Sequence, residues 1–268
     1  MNNYLGRYVK IGIPMKQADF KINLTESFEH LPDAPIAEAI IHWRARAERK
    51  LVPNEFQKEL KSRLPDYPHH QQQFEMAAEI NAESQSFSHQ QNWHGFRFET
   101  EDKRYVAQFT RNGFVFSRLQ PYENWNTFRT EAIRLWEIYR ELTEPSEIQR
   151  LGVRFINVIK DVTPTELNDL LAAPPRCAPN LNIPLAGFMH QSVFEIPGHP
   201  YNLNVIQTIQ PAPPTQKGPT NLILDLDVST SRFIATEEIN KRLQDMQWIK
   251  NKAFFSFLTK SAISKFRE

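Results

Sequence analysis

The chain of 268 residues is short of several features that usually announce a biochemical activity. Cys177 is its single cysteine. One thiol cannot close an intrachain disulfide and cannot supply a cysteine-rich zinc site. There are 8 glycines against 19 prolines, a poor stock for phosphate-cradling glycine loops. Neither charge dominates: 32 Lys plus Arg face 31 Asp plus Glu, a formal net charge of +1. That balance gives no support to a counterion-driven nucleic-acid binder or a membrane-surface protein, although local patches can hide in a balanced sum. No apolar run approaches the roughly 18 residues needed to span a bilayer. Residues 1–25 carry scattered charges and no apolar core of a secretory signal, so a soluble cytoplasmic protein is expected.

What the chain does have is apolar and aromatic material. Hydrophobic residues make up 40% and aromatics 12%, with 19 phenylalanines. That suffices for one large core, or for two of about 130 residues each. Pro32 and Pro35 bracket an opening turn. A strand over 36–45 then sends Ala39, Ile41 and Trp43 to one side and Glu38, Ile40, His42 and Arg44 to the other. Pro53-Asn54 starts a helix with Phe56, Leu60 and Leu64 four apart, ended by Pro65 and Pro68. Residues 69–92, rich in His, Gln and Ser, read as polar and loop-like, although the stretch is longer than an ordinary loop and has room for a short strand or helix. Three strands follow, around Phe96–Phe98, 105–109 and 114–119, the last two joined at Asn112-Gly113. Trp125, Phe128, Ala132, Leu135, Trp136, Tyr139 and Leu142 recur at helical spacing. Residues 151–159 are apolar on both faces, as a central strand is.

The second half repeats this order more faintly. Thr163 caps a short helix beginning at Pro164. A proline-rich connector over 174–184 leads to strands around 188–196, 201–209 and 221–228, with a turn at Gly198 and a loop over 211–219. A long helix follows on the stripe Ile239, Leu243, Met246, Ile249, Ala253 and Phe257, and Thr259 caps a final turn. The expected fold is therefore α+β: two similar units of curved antiparallel sheet with helices packed on one face, in the order β-α-βββ-α, duplicated. Residues 1–24 form an extension that adds a strand near 8–13, residues 25–147 the first unit and residues 148–268 the second. Units of this order occur in TATA-binding-protein-like saddles and in helix-grip folds, by analogy alone.

Four blocks carry a family resemblance. They are 31–40 (LPDAPIAEAI), 113–125 (GFVFSRLQPYENW), 150–157 (RLGVRFIN) and the helix around Phe254 to Phe266. Together they resemble a sporadically distributed family of uncharacterised prokaryotic proteins, over roughly residues 25 to 268. The resemblance brings no activity, cofactor or catalytic residue with it. Its patchy occurrence implies mobile or defence-associated genes.

Several constellations could carry chemistry, each with a plainer alternative. Asp225 and Asp227 share one strand face and could hold a divalent metal, as a hydrolase or nuclease needs. Otherwise they are solvent-side residues of an alternating strand, without a third ligand. Arg118, Tyr122 and Trp125 bracket a strand-to-helix junction suited to an anion. Otherwise Arg118 packs along Trp125 or pairs with Glu123. Arg150, Arg154 and Asn157 lie in one region of an otherwise apolar strand, and Arg154 needs a partner, for which Glu38 is placed. Trp93, His94, Phe96, Arg97, Phe98, Arg104, Tyr105 and Arg111 interleave aromatics with bases, as a single-strand platform does. Otherwise the aromatics face the core and the arginines face solvent. The histidines show no metal spacing, and Cys177 and Ser192 sit in no nucleophile motif. The residues therefore point to a binding or scaffold protein, without a cofactor or a catalytic set, that engages a protein partner or small ligand through Arg97, Arg118, Tyr122, Trp125, Arg154 and Asn157. A nucleic-acid binder and a metal-dependent hydrolase at Asp225/Asp227 are the alternatives.

Overall fold

The computed structural model describes residues 20–81, 86–176, 178, 180, 181, 183–209 and 220–267, with backbone alone for 76–81 and 86–90. The expected strand near 8–13, Cys177 and the 211–219 loop lie outside the described residues. The strands are β1 (Ile36–Arg44), β2 (His69–Asn81), β3 (Ser86–Glu99), β4 (Tyr105–Thr110), β5 (Gly113–Leu119), β6 (Arg150–Val162), β7 (Phe188–Glu195), β8 (Asn202–Ile209) and β9 (Thr220–Thr230). The helices are α1 (Pro53–Arg63), α2 (Trp125–Thr143), α3 (Leu167–Leu170), α4 (Ile239–Phe257) and α5 (Lys260–Ser264). The chain is α+β, and the nine strands among the described residues form one antiparallel sheet of order β2-β3-β4-β5-β1-β6-β9-β8-β7.

The alternation in the sequence decides which face is covered. Ala39, Ile41 and Trp43 of β1, Phe114 and Phe116 of β5, and Leu151, Val153 and Phe155 of β6 are fully buried on one face. The helices gather there. Phe56 of α1 meets Phe96, Trp136 of α2 stacks on Trp43 at 5.3 Å, and Phe128 stacks on Phe116 at 5.2 Å. From α4, Leu243, Met246 and Ile249 are buried. Local chemistry sets the ends of the helices. The Asn124 side chain accepts from the Thr127 N–H at 2.9 Å to start α2, and Glu144, in the left-handed region at φ 48°, ends it. Thr163 opens its turn by donating both N–H and hydroxyl to the Glu166 carboxylate, each at 2.8 Å. Thr259 Oγ1 accepts from the Ala262 N–H at 3.0 Å. Gly113 at the β4–β5 turn is required by close approach, since a Cβ there would stand 2.1 Å from the Trp43 carbonyl oxygen.

The polar stretch 69–92 corrects the sequence reading. Its described residues form β2 and the first half of β3, in a ladder paired from His69↔Glu99 to Asn81↔Ser86. The ladder bonds are backbone bonds, so a strand at the sheet edge needs no apolar face to form. His70, Gln71 and Gln72 are accordingly exposed. The first half thus holds four strands after α1 where three were expected. The two halves meet at β1 and β6, which pair directly from Glu38↔Ile156 to Arg44↔Arg150.

Trp43 anchors this centre, against Trp136 and 5.6 Å from Phe114. Trp43→Ala is expected to cost about 3–5 kcal/mol of unfolding free energy. Urea denaturation should show the loss as a lowered midpoint at an unchanged slope.

Candidate functional site

The period of two along β6 separates residues that are close in sequence. Asn157 turns to the helix-covered face and is buried, while Arg150 and Arg154 turn to the opposite face. The three therefore do not form one site. Nor is Glu38 the ion-pair partner of Arg154. Its guanidinium grips Asp225, with Nε at 2.9 and 3.1 Å from the two carboxylate oxygens and Nη2 at 2.5 Å. The strand register explains the choice. Arg154 stands directly across from Asp227, but Asp227 is taken by Arg150 Nη2 at 2.7 Å, and Arg154 reaches the diagonal neighbour. Arg150 Nη1 also donates to His42 Nδ1 at 3.0 Å. Burial first, then the Arg150 and Arg44 charges, hold the His42 imidazole down to about 4, so it is neutral and able to accept. Gly152 makes room for this lattice, because a Cβ there would lie 2.6 Å from Arg150 Nη1. Asp225 and Asp227 are each engaged by an arginine, and no group of three possible metal ligands occurs among the described residues.

Arg97 also lies on the opposite face, paired with Glu99 at 2.6 Å, while Phe96 and Phe98 are in the core. Arg118 points to the helix side. It is almost fully buried, lies 4.3 Å from the centre of the Tyr105 ring, and donates from Nη2 to Glu123 at 2.8 Å. Its aromatic neighbour is thus Tyr105, not Trp125.

Three of the expected residues do converge. Tyr122 and Trp125, at the start of α2, and Asn157 of β6 line a pocket of about 210 Å³ together with Leu31, Ala34 and Ile36 of the opening segment and Lys250 and Phe254 of α4. The pocket sits where the two halves meet. Asn157 is tied down by donating Nδ2 to the Leu224 carbonyl at 2.9 Å. Burial pushes the Tyr122 phenol upward, so it stays protonated.

Lys250 is the residue that sequence reasoning missed. It follows Ile249 on a helix, where a lysine reads as a solvent-facing charge. Yet it is only 8% exposed. Among the described residues its amine makes no ion pair and no hydrogen bond, and its one compensating contact is the face of Phe155, 3.8 Å from the ring centre. A desolvated cation–π contact returns about 2 kcal/mol. Stripping water from an ammonium costs several kcal/mol, so desolvation wins and the amine is pushed down to about 7. The Trp125 indole N–H is also buried without an acceptor, but so are the other four indoles of the chain, so it marks no ligand. Lys250 is the donor at this pocket that stands without a partner among the described residues. The only sequence signal for this is an amphipathic stripe in which a lysine adjoins the core positions.

The Lys250 shift has a definite sign in stability. Below pH 7 the amine is protonated in both states and the cost of burial is fully present. As pH rises from about 7 in the folded chain toward about 10.4 in the unfolded chain, the unfolded state binds more protons and stability rises. Lys250→Met should raise stability at pH 7. The gap between wild type and variant should shrink by about 2 kcal/mol between pH 7 and 9 in paired denaturant titrations.

No family model matches the chain, and no curated protein matches it.

Proposed function

We propose that this chain is a binding module that holds a small organic acid in the pocket between its halves, with Lys250 as counter-charge. The observation that carries the reading is the buried lysine without a partner carboxylate. A buried ammonium persists when a ligand supplies the opposite charge. Two carboxylates also line the walls, Glu29 paired with Arg267 and Glu123 paired with Arg118, so the wall charge without a partner among the described residues is Lys250. Tyr122, Trp125 and Phe254 are aromatic, and the N-terminal end of α2 at Asn124 and Trp125 adds a favourable dipole for an anion. A volume near 210 Å³ corresponds to about seven water molecules, the scale of a small aromatic carboxylate.

On this reading the chain comprises two related units facing each other across β1 and β6. The strand orders β1-β5-β4-β3 and β6-β9-β8-β7, read outward from that pair, support the duplication, and a long helix follows each set. Membership of the patchily distributed prokaryotic family, with its defence or mobile-element setting, belongs to the same proposal and rests on the four sequence blocks.

Benzoate is the first probe. At about 100 times its dissociation constant it should stabilise the protein by about 2.7 kcal/mol. Because only the protonated amine pairs with it, affinity should weaken by up to about tenfold for each pH unit above 7. Lys250→Met should abolish binding. Equal binding of benzylamine, or a pH-independent affinity, would overturn the reading.

A further inference from the structure

A second polar surface lies at the other end of the β1–β6 pair and is independent of the pocket. A groove of about 730 Å³ is lined by Arg44, Arg46, Arg49, Lys50 and Arg111, with Trp93 and His94 as an aromatic wall. The backbone brings these together from distant parts of the chain. The Ala45 and Ala47 N–H groups donate to the Asn112 and Arg111 carbonyls, each at 3.0 Å, and the Arg111 N–H donates to the His94 carbonyl at 2.9 Å. Residues 44–47 therefore run on as an extended segment beside the β4–β5 turn. Ala45 is buried while Arg44 and Arg46 both point to solvent.

The five cations share a property that most arginines of this chain lack. Arg63, Arg97, Arg104, Arg118, Arg134, Arg140, Arg150, Arg154, Arg242 and Arg267 all have carboxylate partners. Arg44, Arg46, Arg49, Lys50 and Arg111 have none among the described residues. The two acids at the groove are Glu75, which is paired with His94 at 2.8 Å, and Glu48, which accepts from Ser146. The groove is thus cationic inside a chain whose net charge is +1.

We propose that this groove binds the backbone of a single-stranded nucleic acid. A lone phosphate would meet only part of a set spread over a strand end, a linker and a hairpin turn. Four of the five cations are arginines, whose planar forks match phosphate oxygens two at a time and also stack on bases. The groove, with an aromatic wall and a line of guanidinium groups, has the parts of a single-strand site.

The test is fluorescence anisotropy of the full chain with a labelled oligothymidylate across a salt series. With all five cations engaged, the slope of log affinity against log salt should be about −3.5, and Arg44→Gln/Arg46→Gln should reduce its magnitude by about 1.4. Both side chains are exposed and unpaired, so the double variant should keep the wild-type melting temperature. Arg104→Gln, which removes a cation paired with Asp102 elsewhere, should leave binding unchanged, as should Lys250→Met. Absence of binding at low salt would overturn the proposal. So would an equal effect of Arg104→Gln, which means a response to total charge. Displacement by polyglutamate at equal charge concentration, or tighter binding of a duplex, would overturn it too, redirecting the groove to an acidic protein or to double-stranded nucleic acid.

Discussion

The β1–β6 ladder is the constraint on which the rest of the molecule depends. Each strand has a partner on both sides, β5 and β9, so neither half presents an edge where they meet, and the sheet runs on unbroken. An unpaired central edge would leave a row of buried backbone donors and acceptors unmatched, which costs more than almost any side-chain change. Joining the halves there places the start of α2 beside the middle of α4 on one face. It also places β6 arginines beside β9 aspartates on the other. At the far end, it delivers the last residue of β1 to the β4–β5 turn.

The two faces divide the polar chemistry. On the helix-covered face Arg118 is paired with Glu123, whereas Lys250 has no such partner among the described residues and loses its charge easily. On the opposite face, charges are retained because they come in pairs. Arg154 with Asp225 and Arg150 with Asp227 satisfy one another, and His42 completes the lattice as a neutral acceptor. These pairs add little net stability, since desolvation offsets much of their attraction. The same distinction separates the proposed sites. Each is a place where cations stand without the partners that balance them elsewhere.

Much of the fold is legible in the sequence, for a physical reason. Where one face is covered, alternation or a helical stripe records it directly: Ala39-Ile41-Trp43, Leu222-Leu224-Leu226-Val228 and Trp125 through Leu142 are read correctly. Caps at Thr163 and Thr259 are local and need no tertiary knowledge. The β2–β3 pair was missed because both ends of the stretch, His69 to Gln73 and Ser88 to Asn92, are polar and hid the alternation of Phe74, Met76, Ala78 and Ile80 with Glu75 and Glu79 between them. Of the site, Tyr122 and Trp125 were visible at a strand-to-helix junction and Asn157 as a polar residue on an otherwise apolar strand, but grouping Asn157 with Arg154 ignored that they point to opposite faces.

By itself, then, the sequence determined most element types outside 69–92, the covered faces and the near-zero net charge, because those follow from spacing and counting along one chain. Only the tertiary structure decided which charges find partners. Among the described residues Arg154 takes Asp225, Lys250 takes none, and Arg44, Arg46 and Arg111 gather unpaired around one groove. Pairing depends on register and on which strand ends meet, distances that are set across the sheet and leave no trace in the order of residues along it.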